Sequence, residues 1–269
     1  MNGKLLLAGI AGTAALAVGG SRRWRASFEQ THHSVKVKGL AEEHDGLVVA
    51  QISDLHVGWS TPAERIRAAV RTINASGADL VALTGDYITN HESAVPRLGE
   101  QLRGFRLPAV AVLGNHDHWT NARGVTQQLE GIGCTVLRNA HHRLKLKGAW
   151  LNVIGIDDQR SGHDDVDAAF EGVAKGSRLV LTHSPPTAQK LPEDAGLLCL
   201  TGHTHGGQIH VPGLTRRLLQ HVGQPYVRGM HRVNGNHLYV NRGLGYGIGG
   251  AALRIGSKPE IAYFTLRRA

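Results

Sequence analysis

Cysteine is nearly absent. The 269 residues hold two, Cys134 and Cys199, far apart and in no C-x-x-C pair, which excludes a disulfide framework and a thiolate metal site. Both lie in apolar surroundings and read as small buried side chains. Aromatic residues make up 5% of the chain, and beyond the short Arg22–Arg25 and Arg103–Arg106 segments, with one aromatic each, no basic stretch carries aromatics between its cations; that argues against a nucleic-acid partner bound by base stacking. Acidic residues are short as well, 21 against 30 Lys plus Arg, for a formal charge of +9. Such a balance favours an anionic partner: nucleic acid, a phosphorylated metabolite or an acidic lipid surface. No internal repeat and no long low-complexity segment is present, and the length suits one large α/β domain.

No apolar run reaches the ~20 residues of an ordinary membrane span. The nearest is Leu5 to Gly20, uncharged, preceded by Lys4 and followed by Ser21-Arg22-Arg23-Trp24-Arg25. The arginines after the run oppose export and hold the body of the protein on the cytoplasmic side by the positive-inside rule. We therefore expect a membrane-associated protein, with residues 1–33 as an anchor at the inner membrane and residues 34–269 as one cytoplasmic domain. The alternative is a signal peptide cleaved after the small residues at the end of the run, followed by export.

What is present is 35 glycines, 17 histidines and a regular alternation of elements. Ser34 to Leu40 alternates like a half-exposed strand. Leu47 to Ile52, Leu80 to Leu83, Pro108 to Leu113, Arg178 to Leu181 and Gly196 to Leu200 read as buried strands. Thr61-Pro62-Ala63-Glu64 opens a helix as a capping box with Pro in the first turn, and Gly77 closes it. Further helices are expected over Glu92 to Arg103, Asn121 to Gly131 and Asp164 to Val173. More polar strands are expected between Cys134 and Ile156, and others at Gln208 to Val211, Leu238 to Asn241 and Ile261 to Leu266. Strand–helix alternation in the first half implies a largely parallel sheet, and the strand-rich second half a second, mixed sheet packed on it.

Each of the five buried strands ends in ligand-type residues: Asp54-x-His56, Gly85-Asp86, Gly114-Asn115-His116-Asp117, Thr182-His183 and Gly202-His203-Thr204-His205-Gly206-Gly207-Gln208. Ligands in open α/β sheets collect at the carboxyl ends of strands. Every candidate donor is oxygen or nitrogen, which suits Mn²⁺, Fe or Zn²⁺. The donors outnumber what one tetrahedral zinc needs, so two divalent metal ions are expected, with a carboxylate between them.

The ordered set D-x-H, G-D, G-N-H-D, a single His after a strand, and G-H-x-H resembles the calcineurin-like metallophosphoesterase superfamily, over about Ile52 to Gln208. The extended Gly-His-Thr-His-Gly-Gly-Gln and the Asn241-Arg242-Gly243-Leu244-Gly245 segment are similar to a bacterial branch of membrane-associated phosphodiesterases, some of which hydrolyse UDP-2,3-diacylglucosamine in lipid A synthesis. The resemblance implies a four-layer α/β/β/α sandwich. It implies that Asp54, His56, Asp86 and His205 hold one metal and Asp86, Asn115, His183 and His203 the other, with Asp86 bridging. It makes His116 the catalytic residue, placed at the substrate phosphate to protonate the leaving oxygen. Some phosphatases of the superfamily support that histidine with an acid three residues past the bridging Asp; here Thr89 stands there.

Two cations ~3.5–4 Å apart activate a bridging hydroxide for in-line attack on phosphorus. Arg242 is expected to contact a substrate phosphate as a bidentate donor, beside Asn115 and His116. Asp117 is expected to orient loop backbone or a ligand histidine. The expected activity is therefore two-metal phosphoester or pyrophosphate hydrolysis on a lipid-linked or nucleotide-containing substrate at the membrane. The alternatives are a nuclease or cyclic-nucleotide phosphodiesterase, or a metal-bound scaffold without catalysis.

Overall fold

The computed structural model describes residues 26–58, 61–211, 214–221, 223–247 and 254–269. The expected anchor, Leu5 to Gly20 with its arginine flank, lies outside them. No described helix is long and apolar enough to cross a membrane.

In chain order the elements are β1 (Glu29–Val37), β2 (Val48–Ile52), α1 (Ala63–Asn74), β3 (Leu80–Thr84), α2 (Val95–Leu102), β4 (Ala109–Val112), α3 (Asn115–Gly131), β5 (Cys134–Val136), β6 (Ala140–Leu146), β7 (Ala149–Gly155), α4 (Val166–Phe170), β8 (Ser177–Leu181), β9 (Leu198–Thr201), α5 (Leu214–His221), β10 (Gly229–Val233), β11 (Asn236–Val240) and β12 (Glu260–Arg268). They build two six-stranded sheets, ordered β1-β12-β2-β3-β4-β5 and β10-β11-β9-β8-β7-β6. In the first, only the β12–β2 pair is antiparallel. In the second, β9, β8 and β7 run parallel to one another and to β11, and antiparallel pairs close both edges.

Alternation along each strand sorts side chains between layers. Val49 and Leu80 face inward and meet Leu179, Leu181, Leu198 and Leu200 between the sheets. Ala50, Ile52, Val81 and Leu83 face outward, under Ile66, Ala69 and Ile73 of α1 and Val125 and Leu129 of α3. Behind the second sheet, Ile154, Val180, Cys199 and Leu238 are covered by Ala169 of α4 and by Ala188 and Leu191. The layers run α/β/β/α, as expected.

Three local expectations are corrected. Pro62, not Thr61, is the residue before α1, and no side-chain cap forms there; the Thr61 hydroxyl instead accepts from the Tyr246 amide at 3.3 Å. Gln208 to Val211 is no strand but a single bridge, Ile209 to Ile255, because Gln208 takes a left-handed φ of 45° that breaks the extended run. The third helix begins at Asn115, earlier than Asn121, and Asn121 is a kink inside it with φ −163°. The strand β10 and the helix α5 were not expected at all.

Registers bring the strand ends level. Ile52 lies opposite Leu83, Leu83 opposite Ala111, and Leu181 opposite Leu200. The carboxyl ends of β2, β3, β4, β8 and β9 thus open onto one place.

Candidate metal centre

The loops at these five strand ends are joined by short bonds. The Asp54 amide donates to Gly85 O at 2.9 Å, and the Gly202 amide to His183 O at 3.1 Å. The His203 amide donates to both Asp54 carboxylate oxygens, at 3.0 and 3.1 Å, tying the first sheet to the second. Asp54, His56, Asp86, His203 and His205 all have φ between 45° and 74°, the left-handed region, which costs an L-residue ~1–2 kcal/mol. Asp and His tolerate it better than most, and the sharp turns aim successive side chains at neighbouring points.

Two groups of ligand atoms result, each with its members within 4.8 Å of one another: Asp54, His56 and His205, and Asp86, His183 and His203. In the first, His56 Nε2 lies 3.0 Å from His205 Nε2 and His205 Nε2 lies 3.4 Å from Asp54 Oδ1. In the second, His183 Nε2 lies 3.2 Å from Asp86 Oδ2 and 3.3 Å from His203 Nδ1. The same Asp86 oxygen is 3.7 Å from His56 Nε2, so it stands between the groups. The His183 Nδ1–H donates to Thr84 O at 2.8 Å, which turns the Nε2 lone pair inward, as a metal ligand requires. Asn115 is buried, and its Oδ1 has no hydrogen-bond partner. An orphaned buried amide oxygen and two clusters of imidazole nitrogens and carboxylates are donors of the kind that divalent cations take.

Burial sets the direction of the shift at four groups of the site. It raises the Asp54 carboxyl to about 6. It lowers His56 to about 4 and His203 to about 3, and pushes His205 down as well. Imidazoles kept neutral keep the lone pair a metal needs. At Asp86 burial also pulls upward, but His183 and the other histidines outweigh it and hold the carboxyl well below its usual range.

His116 sits at the rim, its ring edge-on to His56 with centroids 5.1 Å apart. Its Nδ1 donates to Asn90 Oδ1 at 2.7 Å. The support absent at Thr89 therefore comes from the next residue, a neutral amide with no motif to mark it in the sequence. Asp117 accepts from the amides of Tyr87 (2.9 Å), Ile88 (3.2 Å) and Gly114 (2.9 Å), the backbone-orienting role expected of it. Burial and the nearby Asp86 push its carboxyl up to about 8 against those three donors.

Asp158 accepts from Ser184 Oγ at 2.7 Å, directly after His183. His118 turns away, bonding Asp157 at 2.6 Å and stacking on His163. Arg242 is committed elsewhere: its guanidinium donates to Glu29 at 2.8 Å and Glu260 at 2.9 Å, and none of its bonds reaches the ligand groups. The arginine that does touch them is Arg254, whose Nη2 donates to His205 Nδ1 at 3.0 Å; an Arg after a glycine-rich loop carries no signal that sequence reading could use.

Comparison with known proteins agrees with this geometry. The calcineurin-like phosphoesterase family matches residues 47–207. The chain is 33% identical to the uncharacterized metallophosphoesterase YkuE of Bacillus subtilis, over 89% of this chain and 86% of that protein. It is 30% identical to a transmembrane protein with metallophosphoesterase domain of Danio rerio, over 87% of this chain and 56% of that protein. It is 27% identical to the UDP-2,3-diacylglucosamine pyrophosphatase LpxG of Chlamydia trachomatis, over 83% and 84% of the two chains. The chain belongs to the calcineurin-like phosphoesterase family and is a metal-dependent phosphoester hydrolase.

Proposed function

We propose that the chain hydrolyses a phosphodiester or pyrophosphate that is linked to a lipid, with UDP-2,3-diacylglucosamine as the first candidate. In this reading Asp54, His56, Asp86 and His205 hold one cation, and Asp86, Asn115, His183 and His203 the other. Bound there, two divalent cations supply Lewis acidity to the phosphate oxygens and lower the pKa of a water between them; Mn²⁺, Zn²⁺ and Fe all suit the donors. The observation that carries the reading is the pair of ligand groups with Asp86 standing between them, together with the buried, unpartnered Asn115 Oδ1.

The chain's own groups do the rest. The Asn115 side chain ligates through oxygen, which leaves its NH₂ free to donate toward a phosphate oxygen. His116, with Nδ1–H held by Asn90, turns Nε2 to the leaving oxygen; in its doubly protonated form it carries a second proton on Nε2, delivers that one there and is left as the neutral imidazole with Nδ1–H still held. Such a general acid contributes ~10²–10⁴-fold. The choice of substrate is supported by the pyrophosphatase activity for which the Chlamydia relative is named, and work at the membrane by the Danio relative's name, the positive charge and the apolar run at Leu5 to Gly20.

The test is turnover of UDP-2,3-diacylglucosamine by Mn²⁺-loaded protein beside an Asn115→Ala variant, with bis(p-nitrophenyl) phosphate as a generic ester. Release of UMP by the intact protein alone is expected. Turnover of the generic ester without UMP release overturns the substrate but keeps the hydrolase; equal turnover by both proteins overturns the ligand assignment.

A further inference from the structure

From Ala195 to Pro259 the chain has no aspartate or glutamate, against six arginines and one lysine. Within that acid-free stretch the surface is unusually apolar at one place. Eight large hydrophobic residues are exposed among the described residues, and five of them lie here: Ile209 (47%), Val211 (47%), Leu214 (53%), Leu218 (60%) and Ile255 (51%). They are held together by backbone. Ile209 bridges Ile255, the His210 amide donates to Ile255 O at 2.7 Å, and the Ile255 amide donates to Gln208 O at 3.0 Å.

The helix α5 follows at once. Thr215 is its buried side: its hydroxyl accepts from the Val211 amide at 2.8 Å, and a side chain at Gly207 would run into it. Leu214 and Leu218, one turn apart, therefore share the outer face, with Arg217 and His221 exposed on the same helix. Gly207 is two residues past His205, so this apolar face adjoins the metal centre.

An exposed apolar cluster in a stretch whose Asp and Glu are absent and whose charged side chains are Arg and Lys does not match a soluble surface, where such patches are avoided. It matches an element that lies in the plane of a bilayer, leucines in the acyl boundary and cations among anionic headgroups. Resting on the reading of a lipid-linked substrate, we infer that Ile209, Val211, Ile255 and the Leu214–Leu218 face of α5 dock on an anionic lipid surface, placing the mouth of the metal centre at the headgroups. The docking is separate from the apolar run at the N-terminus and acts at the site itself.

A local probe separates the two. Cys134 and Cys199 are buried, so full-length Leu218→Cys and, as a control on α1, Arg71→Cys can each be labelled at one position with an environment-sensitive nitrobenzoxadiazole dye. Phosphatidylcholine vesicles carrying phosphatidylglycerol are expected to shift the emission at 218 to the blue and brighten it, while the label at 71 is unmoved. Pure phosphatidylcholine should do so weakly, and Arg217→Glu with Lys258→Glu should weaken vesicle binding at least about tenfold.

Protein that floats with the vesicles while the label at 218 stays in water overturns the proposal, because the N-terminus alone then binds. A label at 218 that is already shielded before vesicles are added overturns it too, because a part of this chain or a second copy then covers the face. Turnover of soluble bis(p-nitrophenyl) phosphate, read in parallel, tests the hydrolase reading independently of docking.

Discussion

His205 Nδ1 accepts a hydrogen bond from Arg254 Nη2, and a neutral imidazole that accepts at one nitrogen carries its proton on the other. A cation on Nε2 requires the opposite tautomer, with the proton on Nδ1, where it meets the Arg254 donor head-on. Cation binding at the first ligand group must therefore break the Arg254 hydrogen bond to His205; Arg254 is half-buried, and desolvation lowers its pKa to about 10. Replacing it removes a competing hydrogen bond and a nearby positive charge together. Arg254→Met is expected to tighten cation binding about tenfold, the worth of one hydrogen bond to a charged group, as read by titration against a chelator. Unchanged or weaker binding would mean that Arg254 moves aside at no cost.

Asn90 offers a second prediction at the level of single side chains. Its amide oxygen holds the Nδ1–H of His116 and so fixes the ring edge-on to His56, with Nε2 left for the leaving oxygen. Without it the ring gains rotational freedom and a second tautomer. Asn90→Ala is expected to lower kcat about tenfold, within the span of one general acid's contribution, with little change in KM. Steady-state kinetics on the soluble diester distinguish this from a substrate-binding role, which would raise KM instead.

At the level of elements, the turn after β3 shows how closely the ligand loops are packed. Gly85 has φ 85°, and a Cβ there would stand 2.7 Å from both the Gly114 amide nitrogen and His183 Nδ1. Gly77, after α1, has φ 75° but nothing within 4 Å of such an atom. Gly77→Ala therefore pays only the backbone cost, ~1 kcal/mol, whereas Gly85→Ala adds a steric term and should lose about 3 kcal/mol in all. Thermal unfolding of the two variants, each without added metal, measures the difference.

The same packing explains what could be read from the chain beforehand. Buried strands and the donors at their carboxyl ends were legible because both signals are local: an apolar run, then a ligand-type residue beside glycine. The two-sheet architecture followed from strand–helix alternation. The resemblance supplied the rest of the layer order and an expected division of donors between two cations. What stayed hidden depended on contacts between distant segments. Thr61 looks like a helix cap, yet the Tyr246 amide claims its hydroxyl. Gln208 to Val211 alternates like a strand, yet the His205–Gly207 turn sets Gln208 left-handed. Arg242 sits in a motif and looks free for phosphate, but Glu29 and Glu260, from opposite ends of the chain, already hold it.

That last cluster governs the molecule as a whole. Glu260 accepts from Thr31 Oγ1 on β1 at 2.7 Å, from Tyr239 OH on β11 at 2.8 Å and from Arg242 Nη2 at 2.9 Å, so one buried carboxylate joins both sheets to the loop that follows β11. Burial pulls its pKa up, but Arg242 and the hydroxyl donors outweigh burial and hold it below the ordinary value of 4.5. A carboxyl depressed in the folded state stabilises that state above its unfolded pKa and ceases to do so as pH falls through the folded one. Glu260→Gln leaves Arg242 half-paired and should cost about 3 kcal/mol at neutral pH. The gap in unfolding free energy between wild type and variant should hold constant from pH 8 to about 5 and then close on further acidification. Denaturant unfolding across that range checks it: a gap that persists unchanged into acid would assign the loss to packing at Glu260 and not to its charge.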